Sequence, residues 1–153
     1  MAFYQINKVR VGTDTALVSL GGTFSDRQVT GVMARFTEAR AFDCFDNDLA
    51  GRIYGLRMMA LLEGIPMKIS KADGGLLVEA KGKSFRLDPD RPLPAQVGKN
   101  LPIRYKVGHW PPPKAFKDWN DCLMNRPMEP VILPNKNDRE MGLAERRNTG
   151  IKI

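Results

Sequence analysis

Ala41-Phe42-Asp43-Cys44-Phe45-Asp46-Asn47-Asp48-Leu49-Ala50-Gly51-Arg52 is the stretch whose reading decides the fold. A short apolar run ends in two acids, and small residues then turn the chain into a helix. The run from about Arg40 to Phe45 is expected to be a strand. Leu49 to Leu62 is the strongest helix of the chain, with Ile53, Leu56, Met59 and Ala60 on a broad apolar face. Gly64 can supply a left-handed C-cap, and Pro66 blocks continuation. Carboxylates fixed at the C-terminal end of a strand are a common way to hold Mg²⁺ against a phosphate.

Upstream the pattern repeats. Ala16-Leu17-Val18-Ser19-Leu20, closed by Gly21-Gly22, is expected to be a buried strand. Ser25 is a good N-cap, with Gln28 completing a capping box. Val29, Val32, Met33 and Phe36 then fall on one helical face. Strand, helix, strand, helix with tight connections predicts an α/β fold with a mostly parallel central sheet flanked by helices. In such sheets Asp46 and Asp48 would sit at the ligand-binding edge.

Downstream the character changes. Met67 to Ser70 is a further candidate strand. Gly75 to Ala80 and Ser84 to Leu87, joined through Lys81-Gly82-Lys83, read as a β-hairpin inserted at about 75–88. Asp88 to Pro102 reads as a proline-rich loop, Ile103 to Val107 as a short strand, and Pro111-Pro112-Pro113 as a stiff spacer. Ala115 to Met124 is expected to hold a short helix. Residues 1–134 are read as the domain, and the charged segment 135–153 as a polar tail.

The chain has 153 residues, enough for one domain, and 42% of them are hydrophobic, enough for a core. A formal charge of +7 favours a polyanionic partner such as DNA or RNA. Cys44 and Cys122 fit neither a metal-ligand spacing nor a disulfide framework, so a reduced, cytoplasmic setting is expected. The N-terminal residues do not read as a signal peptide. No run approaches the roughly 20 apolar residues that cross a bilayer, so no membrane partner is expected.

Asp46 and Asp48 are the first candidates for chemistry. Their bland reading is a strand end and a helix cap. Two carboxylates at one strand end repel each other unless a cation compensates, which explains why both are acids if Mg²⁺ or Mn²⁺ binds there. Asp118 and Asp121 form a second acidic group, able either to face a helix dipole or to add to the metal site. Arg52 and Arg57, on the helix after the acids, could neutralise a phosphate near the metal. Lys117 precedes the second acidic group, while Lys81, Lys83 and Arg86 on the hairpin could touch a nucleic-acid backbone. His109 is the only histidine and reads as structural. There is no G-x-x-x-x-G-K-[ST] phosphate loop.

Three segments together carry a resemblance: Gly21 to Gln28, Phe42 to Arg52, and Phe116-Lys117-Asp118-Trp119-Asn120-Asp121. Across roughly Met1 to Asn125 the chain resembles a Toprim domain, with greatest likeness to the Toprim-like proteins of Bacteroidetes mobile and conjugative elements. The resemblance implies Mg²⁺ at Asp46 and Asp48 and phosphodiester chemistry, primase- or nuclease-like. It places Asp118 and Asp121 in a further acidic element, and implies partners among the proteins of a mobilisation apparatus. It also implies a general acid or base glutamate at the end of a first strand. Met1 to Lys8 reads as the late part of the helix after that strand, which would put the glutamate before Met1. Glu38 and Glu63 stand in the wrong places to replace it. Two other classes fit the same residues: a non-catalytic nucleic-acid-binding or assembly module, and a phosphohydrolase with Asp46 as nucleophile.

Overall fold

The computed structural model describes residues 2–103 and 107–129. Helix α3, Leu49–Leu62, is its axis. The Asp48 side chain accepts from the Gly51 amide and starts the helix. At the other end the Gly64 amide donates to the Leu61 carbonyl and the Ile65 amide to that of Ala60, with Gly64 at φ +63°. That is the paired C-terminal bonding that stops a helix through a left-handed residue. Apolar side chains surround α3, as expected of a helix covered on more than one side.

Two cores flank it. One gathers Leu56, Ala60 and Ile65 with Leu76, Val78, Ala80 and Leu87 of a sheet and Leu93, Val97 and Leu101 beyond it. Leu56, at 1% exposure, contributes about 1.5–3 kcal/mol through burial. The other packs Met58 with Phe24 and Val29, and the Phe24, Phe45 and Tyr54 rings lie 5.4–5.9 Å apart. Val29 belongs to α2, Asp26–Arg35, which starts at the expected Ser25–Gln28 capping box.

The fold is mixed α/β, but the mostly parallel sheet is not what forms. The larger sheet is antiparallel, with β2 (Met67–Ala72), β3 (Gly75–Ala80) and β4 (Lys83–Leu87) in that order. The expected hairpin is its second turn, where Lys81 and Gly82 take φ +48° and +71°, the left-handed pair that two-residue hairpins favour. Among the described residues the parallel sheet has only β1 (Phe42–Asp43) and β5 (Gly108–His109), with Phe42 opposite Gly108 and Asp43 opposite His109. One further ladder bond, from the Trp110 amide to the Asp43 carbonyl, follows. Pro111, Pro112 and Pro113 come next and have no N–H to extend it.

Other expectations change too. Ala16 to Leu20 forms no strand: Ala16 and Val18 are exposed, and Leu20 packs instead beside Phe24. With no strand beside it among the described residues, this five-residue run cannot satisfy its backbone in the interior. The proline-rich segment holds α4, Leu93–Gly98, with Pro94 in its first turn, where a missing N–H costs nothing. The helix expected within Ala115 to Met124 is α5, Trp119–Leu123. Phe3 of α1, Ala2–Asn7, meets the rings of Trp110 and Trp119 edge-on at 5.3 and 5.0 Å. The middle of the strand expected at Ile103 to Val107, the tail 135–153 and its Arg139, Arg146, Arg147 and Lys152 lie outside the described residues. No helix among the described residues is long and apolar enough to cross a membrane.

Candidate functional site

β1 and β5 run in the same direction and release their chains at one end, and the acidic groups lie just beyond. Three residues after Asp43, the chain reaches Asp46, Asn47 and Asp48. The segment after His109 runs through the three prolines to Lys117 and Asp118.

Asn47 joins the two segments. Its backbone N–H donates to the Lys117 carbonyl at 2.8 Å. Its side-chain Nδ2 donates to the carbonyls of Phe116 at 2.8 Å and Pro112 at 2.9 Å, with Pro113 at 3.3 Å. Prolines cannot donate, but their carbonyls accept. A neutral amide between two acids thus fixes a loop some 65 residues away in sequence. Only the residue type between Asp46 and Asp48, a side chain carrying both donors and an acceptor, hinted at this role.

Gly51 brings the first turn of α3 against the acids. A Cβ there would run into the backbone of Asp46. Asp48 and Asp118 both act as caps: Asp48 Oδ1 accepts from the Gly51 amide at 2.9 Å, and Asp118 Oδ1 from the Asp121 amide at 2.7 Å. The cap reading of Asp48 is therefore realised, Asp118 caps its own helix in the same way, and each keeps its second oxygen. Lys117 Nζ lies 3.8 Å from Asp48 Oδ2. Asp46 caps no helix and enters no ion pair among the described residues. Its carboxyl is pushed above the ordinary carboxylate range, first by burial, then by the charges of Asp118 and Asp48. Lys117 pulls it down and Asp121 adds to the rise. The structure thus brings Asp46, Asp48, Asp118, Asp121 and Lys117 into one electrostatic neighbourhood. Among the described residues, no group of three or more His, Cys, Asp or Glu stands ready to hold a metal ion.

The other cationic candidates point elsewhere. Arg57 pairs with Asp26 at 3.1 Å and lies over the Phe24 ring. Arg52 Nη1 donates to the Pro89 carbonyl at 2.8 Å. Lys83 and Arg86 donate to the carbonyls of Asn100 and Asp73, and Lys81 sits in the hairpin turn. Asp43 stands beside the site without an expected role in the sequence. It is 6% exposed, and His109 Nδ1–H donates to its Oδ1 at 2.6 Å. An acid inside the apolar run Ala41 to Phe45 was the available signal. Burial raises its carboxyl above the usual range, while His109 and the Phe45 amide draw it down. Cys44 is free, and burial, followed by the Asp43 charge, pushes its thiol up to about 11.

No protein-family model, curated protein or solved structure matches the chain.

Proposed function

We propose that this chain is a Toprim-like domain that binds Mg²⁺ or Mn²⁺ through Asp46 and Asp48 and acts in phosphodiester chemistry on nucleic acid. The observation that carries the reading is the acidic neighbourhood around Asp46, whose carboxyl is held high first by partial burial and then by the charges of Asp118, Asp48 and Asp121. A divalent cation would relieve that repulsion. The donor set suits the ion, since Mg²⁺ keeps several waters and is commonly held by only one or two carboxylates. Asp46 and the second oxygen of Asp48 would hold it, with Asp118 and Asp121 taking its waters. When bound, the ion would polarise a phosphate oxygen. Lys117, released from Asp48, would face the phosphate charge.

The test is calorimetric titration with Mg²⁺ and Mn²⁺ of the wild type, Asp46→Asn and Asp48→Asn. Asparagine caps a helix about as well as aspartate, so Asp48→Asn removes charge without removing the cap. Saturable binding lost in both variants supports the reading and leads to nuclease and primer-synthesis assays on single-stranded DNA. No binding to the wild type overturns it. A second reading, a nucleic-acid-binding module without turnover, is favoured by the excess of 24 Lys and Arg over 17 Asp and Glu. DNA binding without Mg²⁺-dependent turnover would select it.

A further inference from the structure

We propose that the cleft between β4 and α4 binds the sugar–phosphate backbone of a nucleic-acid strand, as a site separate from the acidic cluster. The inference rests on the nucleic-acid part of the reading above and not on the metal.

The cleft is about 330 Å³, and Arg86, Asp88, Arg91, Ala95, Lys99 and Asn100 are among the residues that line it. Three of these are cations and one is an acid. The acid is already satisfied: Asp88 Oδ2 pairs with Arg91 Nε at 3.1 Å, and Oδ1 accepts from the Asp90 amide at 2.8 Å. The Arg91 bond uses Nε, leaving the terminal nitrogens of the guanidinium. Arg86 donates one Nη to a neutral carbonyl, so its charge stays uncompensated. Lys99 enters no ion pair among the described residues. Lys83 extends the row, donating to the Asn100 carbonyl at the rim.

The walls are fixed before any ligand arrives. Gln96 of α4 accepts from the Asp88 amide and donates to the Asp88 carbonyl, both at 2.9 Å. These bonds clamp the loop to the helix, so little ordering remains to be done on binding. Arg52, in the first turn of α3, ties the same loop through the Pro89 carbonyl. The cleft wall is thereby anchored to the helix that Asp48 caps. Among the described residues, no aromatic side chain lines the cleft. Binding there is therefore electrostatic and insensitive to base sequence, with no stacking contribution.

The experiment is fluorescence anisotropy with a labelled oligothymidylate of about 20 nucleotides. It is run in EDTA across about 50–200 mM NaCl. Three neutralised phosphates predict a slope of log K against log salt near −2, at about 0.7 per phosphate for single strands. Arg86→Gln/Lys99→Gln should flatten that slope by about 1.4 and weaken binding at least tenfold at the low-salt end. Both side chains are exposed, and thermal melting checks that the variant folds. Lys8→Gln/Lys114→Gln, which removes two exposed cations outside the cleft, should leave most of the affinity in place. The proposal is overturned if the cleft variant keeps the wild-type slope and affinity. Equal losses in the Lys8/Lys114 control also overturn it, because the binding is then diffuse charge. Either result leaves the metal reading to its own titration. Wild-type protein that binds acidic phospholipid vesicles but not the oligonucleotide sinks both this site and the nucleic-acid part of the reading.

Discussion

Asn47 shows how one neutral residue can organise a charged site. Its side chain ties the Asp46–Asp48 loop to the carbonyls ahead of Asp118. Asn47→Ala should cost about 1–3 kcal/mol in urea unfolding, because partly buried acceptors lose their donor. It should also weaken Mg²⁺ binding although it removes no charge; full retention of metal affinity would show that the two segments hold their places without it. The Asp43–His109 pair makes a pH-dependent prediction. The folded carboxyl of Asp43 lies above its ordinary value, chiefly through burial. A group raised in this way contributes stability that is fully present below the unfolded value and is lost as pH rises through the folded one. His109 limits that loss by donating to the ionised form. His109→Ala should therefore destabilise by about 1–3 kcal/mol at neutral pH, and by much less once Asp43 is protonated. A cost independent of pH would mean that the ring acts only by packing.

Helices α2 and α3 were legible in the sequence because their ends are written in local chemistry: Ser25 with Gln28, then Asp48, Gly64 and Pro66. The parallel sheet was not, because its length depends on which strand lies alongside and on three prolines that close the ladder from the partner's side. Helix α4 was obscured by its prolines, although Leu93, Val97 and Leu101 already carried the four-residue spacing of a buried face. Glycine gives a contrast within these elements. Gly31 of α2 has open space where a Cβ would go, so Gly31→Ala should stabilise by about 0.5–1 kcal/mol through helix propensity. Gly51 of α3 faces the Asp46 backbone, so Gly51→Ala should destabilise by about 1–3 kcal/mol through overpacking. Thermal unfolding of both variants checks the sign. Two shifts in the same direction would show that the approach of α3 to Asp46 is not tight.

At the scale of the molecule, an excess of +7 coexists with an acidic neighbourhood at one end of the parallel strands. The acidic candidates were legible because Asp46 and Asp48 stand two residues apart; the separate basic cleft was not, because β4 and α4 meet only in three dimensions. The two charge regions make different demands on an ion. Monovalent salt screens both and should raise the melting temperature gradually, in every variant. A specific divalent site adds a saturable gain at constant ionic strength. At ten times its Kd, Mg²⁺ would contribute about 1.4 kcal/mol, or roughly 3–5 °C for a chain of this size. Asp46→Asn should remove that gain while slightly stabilising the metal-free protein, since it deletes a carboxylate held above its ordinary range. The exposure of Asp46 keeps this second effect small. Melting curves with Mg²⁺ replaced by NaCl of equal ionic strength separate the two contributions. If NaCl reproduces the whole Mg²⁺ shift, the acids answer to screening alone and the divalent site is refuted. If Asp46→Asn melts higher than the wild type without metal and lower with it, the carboxylate is retained at a cost in stability that only the ion repays.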